Sequence, residues 1–314
     1  MKWKIYIFFL LLFSCLYSSD ENSNFYSDIN LGYLYNSNVN AKPDKDTLLN
    51  CYHSFIPSRK DIKISDHALY YDFLLFNIHK KSSYTKFKNS INIKITDYIK
   101  LDEYDYEEIT LKSAIYTQKD KMVFSIPFIL KRTKEGHKYE YSTFHAALTP
   151  LIGYSYSSFF TSIKLFFQKN HYHDFDEGDN NSFTFSLSTK YFINKNSNVT
   201  VKGYNGSITD GFETDNKNYK GVIISYYTKL FKNLKLYMDS SMHYTYYDAY
   251  KKMFRSKIQK RKDKSSITNF DISYHFKNSS LIVKLFFSHL KNKSNLKIYN
   301  YKRDKIIITL SRYF

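Results

Sequence analysis

The sequence predicts an all-β protein, a transmembrane antiparallel up-and-down β-barrel of about 14 strands. Three observations lead there. Apolar and polar residues alternate with period 2 along most of the chain, the links between alternating segments are long and short by turns, and the amino terminus is laid out as an export signal.

The chain opens "MKWKIYIFFLLLFSCLYSSD". Lys2 and Lys4 precede an apolar run from Ile5 to Phe13, and small polar residues follow around Ser18 and Ser19. This predicts a signal peptide over residues 1–19, with the barrel occupying 20–314 as one domain. The run is too short to cross a bilayer as a helix. "LFSC" resembles a lipoprotein signal ending at Cys15, but bulky Phe13 stands where a small residue is usual. Once Cys15 is removed with the signal, Cys51 has no cysteine in the chain to pair with.

Composition agrees with strands. Tyr (32) and Phe (27) dominate the aromatic residues of this 314-residue chain, while Gly (8) and Pro (4) are scarce. Tyr and Phe favour strands, and Tyr also suits membrane interfaces, although an AT-rich genome enriches both. The net charge of +18 suits an anionic partner, but the basic residues are scattered and the chain is exported. Nucleic acid is therefore not an expected partner.

Taken in order, the alternating segments cover residues 25–36, 67–77, 86–96, 106–117, 121–131, 139–155, 158–169, 182–192, 197–206, 219–230, 233–246, 265–276, 280–289 and 300–314. In "FKNSINIKIT", Phe87, Ile91, Ile93 and Ile95 oppose Lys88, Ser90, Asn92 and Lys94. In "SFTFSLSTKY", Phe183, Phe185, Leu187 and Tyr191 oppose Thr184, Ser186, Ser188 and Lys190. The same division puts Leu234, Leu236, Met238 and Met242 against Lys235, Asp239, Ser241 and His243, and Phe270, Ile272 and Tyr274 against Asp271, Ser273 and His275.

The connections then sort by parity. The first, third and later odd links are long (37–66, 97–105, 132–138, 170–181, 207–218, 247–264, 290–299). The even links are short stretches such as "QKD", "YSS", "NKNS", "FKN" and "KNS". An up-and-down barrel has this asymmetry, with tight periplasmic turns and longer outer loops. A soluble sandwich has no reason to sort its loops this way.

If the apolar face meets lipid, the other face lines the lumen. By parity the inward set includes Lys88, Lys94, Lys112, Lys164, Lys190, Lys202, Lys235 and Lys284, against Asp28, Asp72, Asp239 and Asp271. The excess of lysine implies a cationic lumen that favours anionic solutes or an anionic segment of a partner. Pairing of these charges across strands, filling the lumen, is the alternative.

Two stretches carry a family resemblance: "DINLGYLYNSNVNAKPD" (Asp28–Asp44) and "YEYSTFHAALTPLIGYSYS" (Tyr139–Ser157). The first resembles the opening strand of the surface lipoprotein assembly modifier family, here Gly32, Tyr33 and then Asn36, Ser37, Asn38, Val39 and Asn40. The resemblance implies a fourteen-stranded outer-membrane barrel that moves proteins, typically lipoproteins, to the surface of a Gram-negative cell. Family members usually carry an N-terminal periplasmic domain of helical repeats, and the expectation here is the barrel without it. The terminal "SRYF" is similar to the aromatic signal read by the barrel assembly machinery, with Leu310, Tyr313 and Phe314 as its residues. Arg312 stands where that signal usually has an aromatic residue. Physically, Asn36–Asn40 also suits a strand exit, since Asn and Ser side chains can satisfy nearby backbone in a bend.

Other clusters point less clearly to chemistry. The loop Lys169–Asn181 gathers His171, His173, Asp174, Asp176, Glu177 and Asp179, but the spacing matches no metal loop, so no metal or cofactor is expected. The run Tyr250–Ser266 is the one dense basic cluster, read as an outer loop facing lipopolysaccharide. His243, His275, Asp239 and Asp271 share the inward face, yet nothing marks a nucleophile or oxyanion donor, so no enzyme is expected. The functional expectation is translocation of lipoproteins to the surface, with a passive porin-like channel of anion preference as the alternative and an adhesin-like role through the outer loops as a third. Expected partners are outer-membrane lipids, lipopolysaccharide, the barrel assembly machinery and a surface lipoprotein.

Overall fold

The computed structural model describes residues 23–39, 64–136, 141–172, 179–210, 216–252, 258–277 and 279–313. The export signal, Cys15, Asn40, Cys51, Phe314 and the loop residues His173, Asp174, Asp176 and Glu177 lie outside these.

The strands are β1 (Ser23–Asn36), β2 (Asp66–Lys80), β3 (Thr85–Tyr98), β4 (Tyr106–Lys119), β5 (Met122–Glu135), β6 (Tyr141–Leu148), β7 (Leu151–Tyr156) and β8 (Phe159–Tyr172). They continue as β9 (Asn180–Asn194), β10 (Ser197–Asp210), β11 (Lys217–Phe231), β12 (Leu234–Lys252), β13 (Ile258–His275), β14 (Leu281–Ser294) and β15 (Tyr301–Tyr313). Each pairs antiparallel with its neighbours, and β1 pairs with both β2 and β15, so the sheet closes into a barrel.

β6 and β7 form one stave, which gives the barrel fourteen. Both lie between β5 and β8, and the pairing register is the same on either side of the gap at Thr149 and Pro150. The gap arises because proline lacks an amide donor. Thr149 N–H donates to Pro127 O at 2.9 Å and Leu165 N–H donates to Pro150 O at 3.0 Å. Neither proline can return the second bond of its rung.

The two ends of the barrel differ as the loop lengths predict. At one end β4–β5, β7–β8, β9–β10 and β11–β12 are joined by the two-residue links 120–121, 157–158, 195–196 and 232–233. Asp120 (φ 51°) and Ser157 (φ 48°) take the left-handed conformation that matches the twist of tight hairpins. Short turns face the periplasm in barrels of this kind, which places the longer links outside.

Several strands run further at the outer end than the sequence predicts, β14 reaching Ser294 among them, and the largest departure lies in one link. The basic run read as an outer loop over 247–264 is mostly strand, since β12 extends to Lys252 and β13 begins at Ile258. Arg261 explains why a charged run can pair. Its guanidinium stacks 3.6 Å from the Tyr299 ring and 4.5 Å from Tyr247, and it forms an ion pair with Asp263. The added length lies on the outer side, where Lys260, Lys262 and Lys264 need no burial.

A strand of about 14 residues rising ~3.3 Å each and tilted by ~40° spans roughly 35 Å, enough for an apolar band with a polar fringe. The outward face supplies that band. Leu111, Ile163, Leu187, Val201 and Ile224 are exposed at mid-height. Tyrosines stand nearer the ends, with Tyr33, Tyr71 and Tyr246 on the outer side and Tyr154, Tyr156, Tyr191 and Tyr274 on the periplasmic side. Their rings suit the acyl boundary and their hydroxyls the headgroups. Among the described residues no helix is long and apolar enough to cross a membrane.

Close approach on the inner face fixes two glycines. Tyr204 lies against Gly221 across the β10–β11 pair, and Tyr219 lies against Gly206 one rung away. A Cβ on Gly221 would sit 2.5 Å from the Tyr204 ring and 2.6 Å from Met242 O. Gly221→Ala is expected to destabilise the barrel by about 1–3 kcal/mol, read as a lower urea midpoint for the folded band on unheated gels.

Candidate functional site

The concave face is where side chains of non-adjacent staves meet. Lys284 on β14 reaches over β15 to donate to Asn30 Oδ1 on β1 at 2.9 Å, with Asp28 3.9 Å away. Asn30 Oδ1 also accepts from Ser311 Oγ on β15. The three staves that close the barrel are thus tied by side chains as well as backbone.

A second knot lies on β2–β5. Glu108 accepts from Tyr106 Oη at 2.5 Å and from Lys131 Nζ at 3.4 Å, with Lys94 Nζ 3.8 Å away. Asn92 donates to Asp72 Oδ1 at 2.6 Å, and Tyr70 donates to Asp72 Oδ2 at 3.3 Å. Two cations share Glu108, so Lys94 is already compensated.

The backbone register puts all eight lysines named from the sequence on this inner side, in line with Asn30 and Glu108. Lys88 pairs opposite Ala114 and Lys112 opposite Ser90 on β3–β4, and Lys164 lies opposite Ser186 on β8–β9. Lys190 faces Thr200 and Lys202 faces Ser188 on β9–β10. Lys235 faces Ser273 on β12–β13, and Lys284 faces Thr309 on β14–β15. Lys88 Nζ stands 4.6 Å over the Phe76 ring and Lys190 Nζ stands 5.3 Å over Phe192.

Further inner charges escaped the sequence reading: Lys131, Lys217, Lys229, Arg303 and Lys305, with Glu108 and Asp263. Lys131 was hidden because β5 carries apolar residues on both faces, including Ile126, Phe128, Ile129 and Leu130, so its alternation is blurred. The two-residue β4–β5 turn pairs Lys119 with Met122 and so reverses the parity, which puts Lys131 on the same face as Lys112.

The charges are not spread evenly. From β6 through β11, no described inner side chain is a carboxylate, while Lys164, Lys190, Lys202, Lys217 and Lys229 all lie there. Between them the wall carries small hydroxyls: Ser162, Thr184, Ser186, Ser188, Thr200 and Ser225. The remaining arc holds Asp28, Asp72, Glu108, Asp239, Asp263 and Asp271.

At the outer rim, the Gly32–Val39 segment is engaged with its own chain. Asn36 Nδ2 donates to Tyr98 Oη at 3.1 Å, and Asn36 Oδ1 accepts from Asn38 N–H at 3.1 Å. Asn38 Nδ2 donates to Lys302 O at 2.8 Å, and Ser37 Oγ accepts from Asp304 N–H at 2.7 Å. Asn36, Ser37 and Asn38 are buried beside a small apolar cluster of Leu34, Ala68, Tyr98 and Leu101, onto which Val39 packs. Tyr33 points outward and meets His67 Nδ1 at 2.5 Å. This geometry is that of a strand exit, with Asn side chains standing in for backbone partners.

Of the chain-end residues, Leu310 is outward and exposed, and Tyr313 pairs in register with Asp28. In the histidine–acid loop, His171 Nδ1 lies 3.0 Å from Asp179 Oδ1. That hydrogen bond, helped by Tyr172 N–H, holds the Asp179 carboxyl below the usual carboxylate range. Among the described residues no three His, Cys, Asp or Glu side chains gather as metal ligands. His243 Nδ1 is 2.7 Å from Tyr204 Oη, while Asp239 accepts from Asn269 Nδ2 at 3.0 Å, so these two groups have separate partners.

A closed antiparallel barrel with an apolar outer belt, a polar interior and loops sorted by end defines an outer-membrane β-barrel protein. Solved structures show the same fold. DcaP, an outer-membrane channel of Acinetobacter baumannii, is 9% identical with a TM-score of 0.52, covering 93% of this chain and 97% of that one. An anion-selective porin from Comamonas acidovorans is 7% identical with a TM-score of 0.52, covering 93% and 99%. OmpT of Vibrio cholerae is 7% identical with a TM-score of 0.50, covering 93% and 97%. No match is found among curated protein sequences. The chain belongs to the surface lipoprotein assembly modifier family, whose profile matches residues 25–314, and its place is the outer membrane.

Proposed function

We propose that this barrel acts in translocation of lipoproteins to the cell surface. The observation that carries the reading is the family match, which runs from β1 to the end of β15 and so takes in the whole barrel. The polar inner wall is compatible with a passing hydrophilic chain. The reading assigns no catalytic step and no cofactor to the barrel. Its partners are a surface lipoprotein, the outer-membrane lipids and lipopolysaccharide around it, and the barrel assembly machinery that inserts it.

Deleting the gene is expected to reduce the lipoproteins accessible to protease and antibody on intact cells, and the plasmid-borne gene is expected to restore them. Unchanged surface display would overturn the proposal.

A passive channel with anion preference is the second reading, favoured by the arc of β6–β11, whose described inner side chains include lysines and no carboxylate. In planar bilayers it gives a reversal potential displaced toward chloride under a potassium chloride gradient. A cation-selective or non-conducting barrel counts against it.

A further inference from the structure

Among the described side chains, the inner arc from β6 to β11 carries lysine without carboxylate, and the arc's cations are stacked along the barrel axis. Lys190 and Lys229 lie near the periplasmic turns, Lys164 and Lys202 lie at mid-height, and Lys217 opens β11 at the outer end. Lys164 faces Ser186 and Lys202 faces Ser188, so these lysines flank stave β9 from either side. Two staves of separation is about 10 Å, within reach of each other's charge in a wall shielded from bulk water. Lys112 on β4 turns into the same lumen at mid-height, opposite Ser90 on β3. Among the described residues no carboxylate lies within ion-pair distance of Lys112, Lys164 or Lys202.

The contrast with the other arc is the central observation. There Lys94 and Lys131 meet Glu108, and Lys284 meets Asn30 and Asp28, whereas Lys112 on β4 shares the uncompensated state of Lys164 and Lys202 among the described residues. A protein that had only to fill its lumen would compensate both sides. Repulsion among Lys112, Lys164 and Lys202 is relieved by an anion placed between them, and the serine hydroxyls of β9 can donate to the same group. A single small anion needs one such place. Cations repeated from end to end, with hydroxyls between them, suit an extended chain that presents carboxylates at intervals.

We infer that the β8–β11 wall is a guiding track for an extended acidic polypeptide segment, with Lys164 and Lys202 as its mid-barrel station. This rests on the translocation reading and adds the charge of the segment that passes.

The test uses fluorescein-labelled deca-glutamate titrated by anisotropy against the full-length protein in uncharged detergent, with deca-lysine as control. Deca-glutamate is expected to bind, more weakly as salt rises, and deca-lysine is not. K164Q/K202Q is expected to weaken binding by about tenfold or more, whereas K94Q/K284Q on the compensated arc leaves it within about twofold. Lys190→Gln with Lys229→Gln tests the same track at its periplasmic end and serves should the first pair assemble poorly, as judged by heat-modifiable mobility. Absence of deca-glutamate binding, retention of full affinity in both track variants, or equal loss in K94Q/K284Q overturns the inference. Surface display in the deletion strain decides translocation separately. Binding lost at the track with display unaffected by the deletion would leave the track and remove the cargo.

Discussion

Gly32→Val is expected to impair closure of the barrel, giving little compact species on unheated gels and lowering stability by about 3 kcal/mol in the fraction that folds. A Cβ at Gly32 would lie 2.5 Å from Thr309 Cγ2 and 2.7 Å from Ile308 O, so both a side chain and the strand backbone stand in its way. The position is sensitive because it lies in the closing seam. β1 and β15 share nine paired positions, from Asp28–Tyr313 to Asn36–Lys305, whereas β1 and β2 share fourteen. A side chain that pushes β15 away acts on the shorter of the two pairings. Gly203→Val is the matched control, since a Cβ there meets nothing within 4 Å and valine favours strands. Equal stability for the two variants, measured by urea unfolding in detergent, would show that the seam is not the sensitive element.

Asn36→Ala is expected to cost about 1–3 kcal/mol and to loosen the rim of the barrel between β1 and β3. Asn36 removes two hydrogen bonds at once when truncated, the donation to Tyr98 Oη and the acceptance from Asn38 N–H. Its side chain is almost fully buried, so water cannot readily replace these partners. Tyr98→Phe deletes one partner only and leaves the Asn36–Asn38 bond intact, so it should cost less. Limited trypsin digestion gives a local readout. Lys100 is exposed, and its N–H is held by Asp66 Oδ2 at 2.9 Å in the link that Tyr98 anchors. Cleavage there is expected to accelerate in Asn36→Ala; a rate equal to that of the unmodified protein, with unchanged stability, would refute the role given to the motif.

Much of the fold could be read from the residues because a lipid-facing barrel writes its geometry into every strand. Phe183, Phe185 and Leu187 had to alternate with Thr184, Ser186 and Ser188, as each faces a different solvent. Turn lengths were legible for a similar reason, since Asp120 and Ser157 can adopt the left-handed bend of a two-residue link. The start of β13 was not legible. A run of lysine and arginine reads as loop until the Tyr247 and Tyr299 rings that hold Arg261 are known, and Tyr299 is 38 positions away in sequence. Interior pairing was hidden as well. Whether Lys94 meets Glu108, or Asn36 meets Tyr98, depends on the stagger between staves, which period-2 patterning leaves free. The lysine-lined arc lay between these cases: parity supplied Lys164, Lys190 and Lys202, but only the order of staves around the barrel showed them to be contiguous.

The paired prolines bear on how such a cylinder yields to load. Hydrogen bonds between staves act as hoops, and the rungs Pro127–Thr149 and Pro150–Leu165 each carry one bond where two are usual. These half-rungs are side by side on the stave of β6 and β7, at the margin of the lysine-lined arc. If a bulky passenger stretched the circumference, the first give would come along this line, and the remainder of the girth could stay at its resting length.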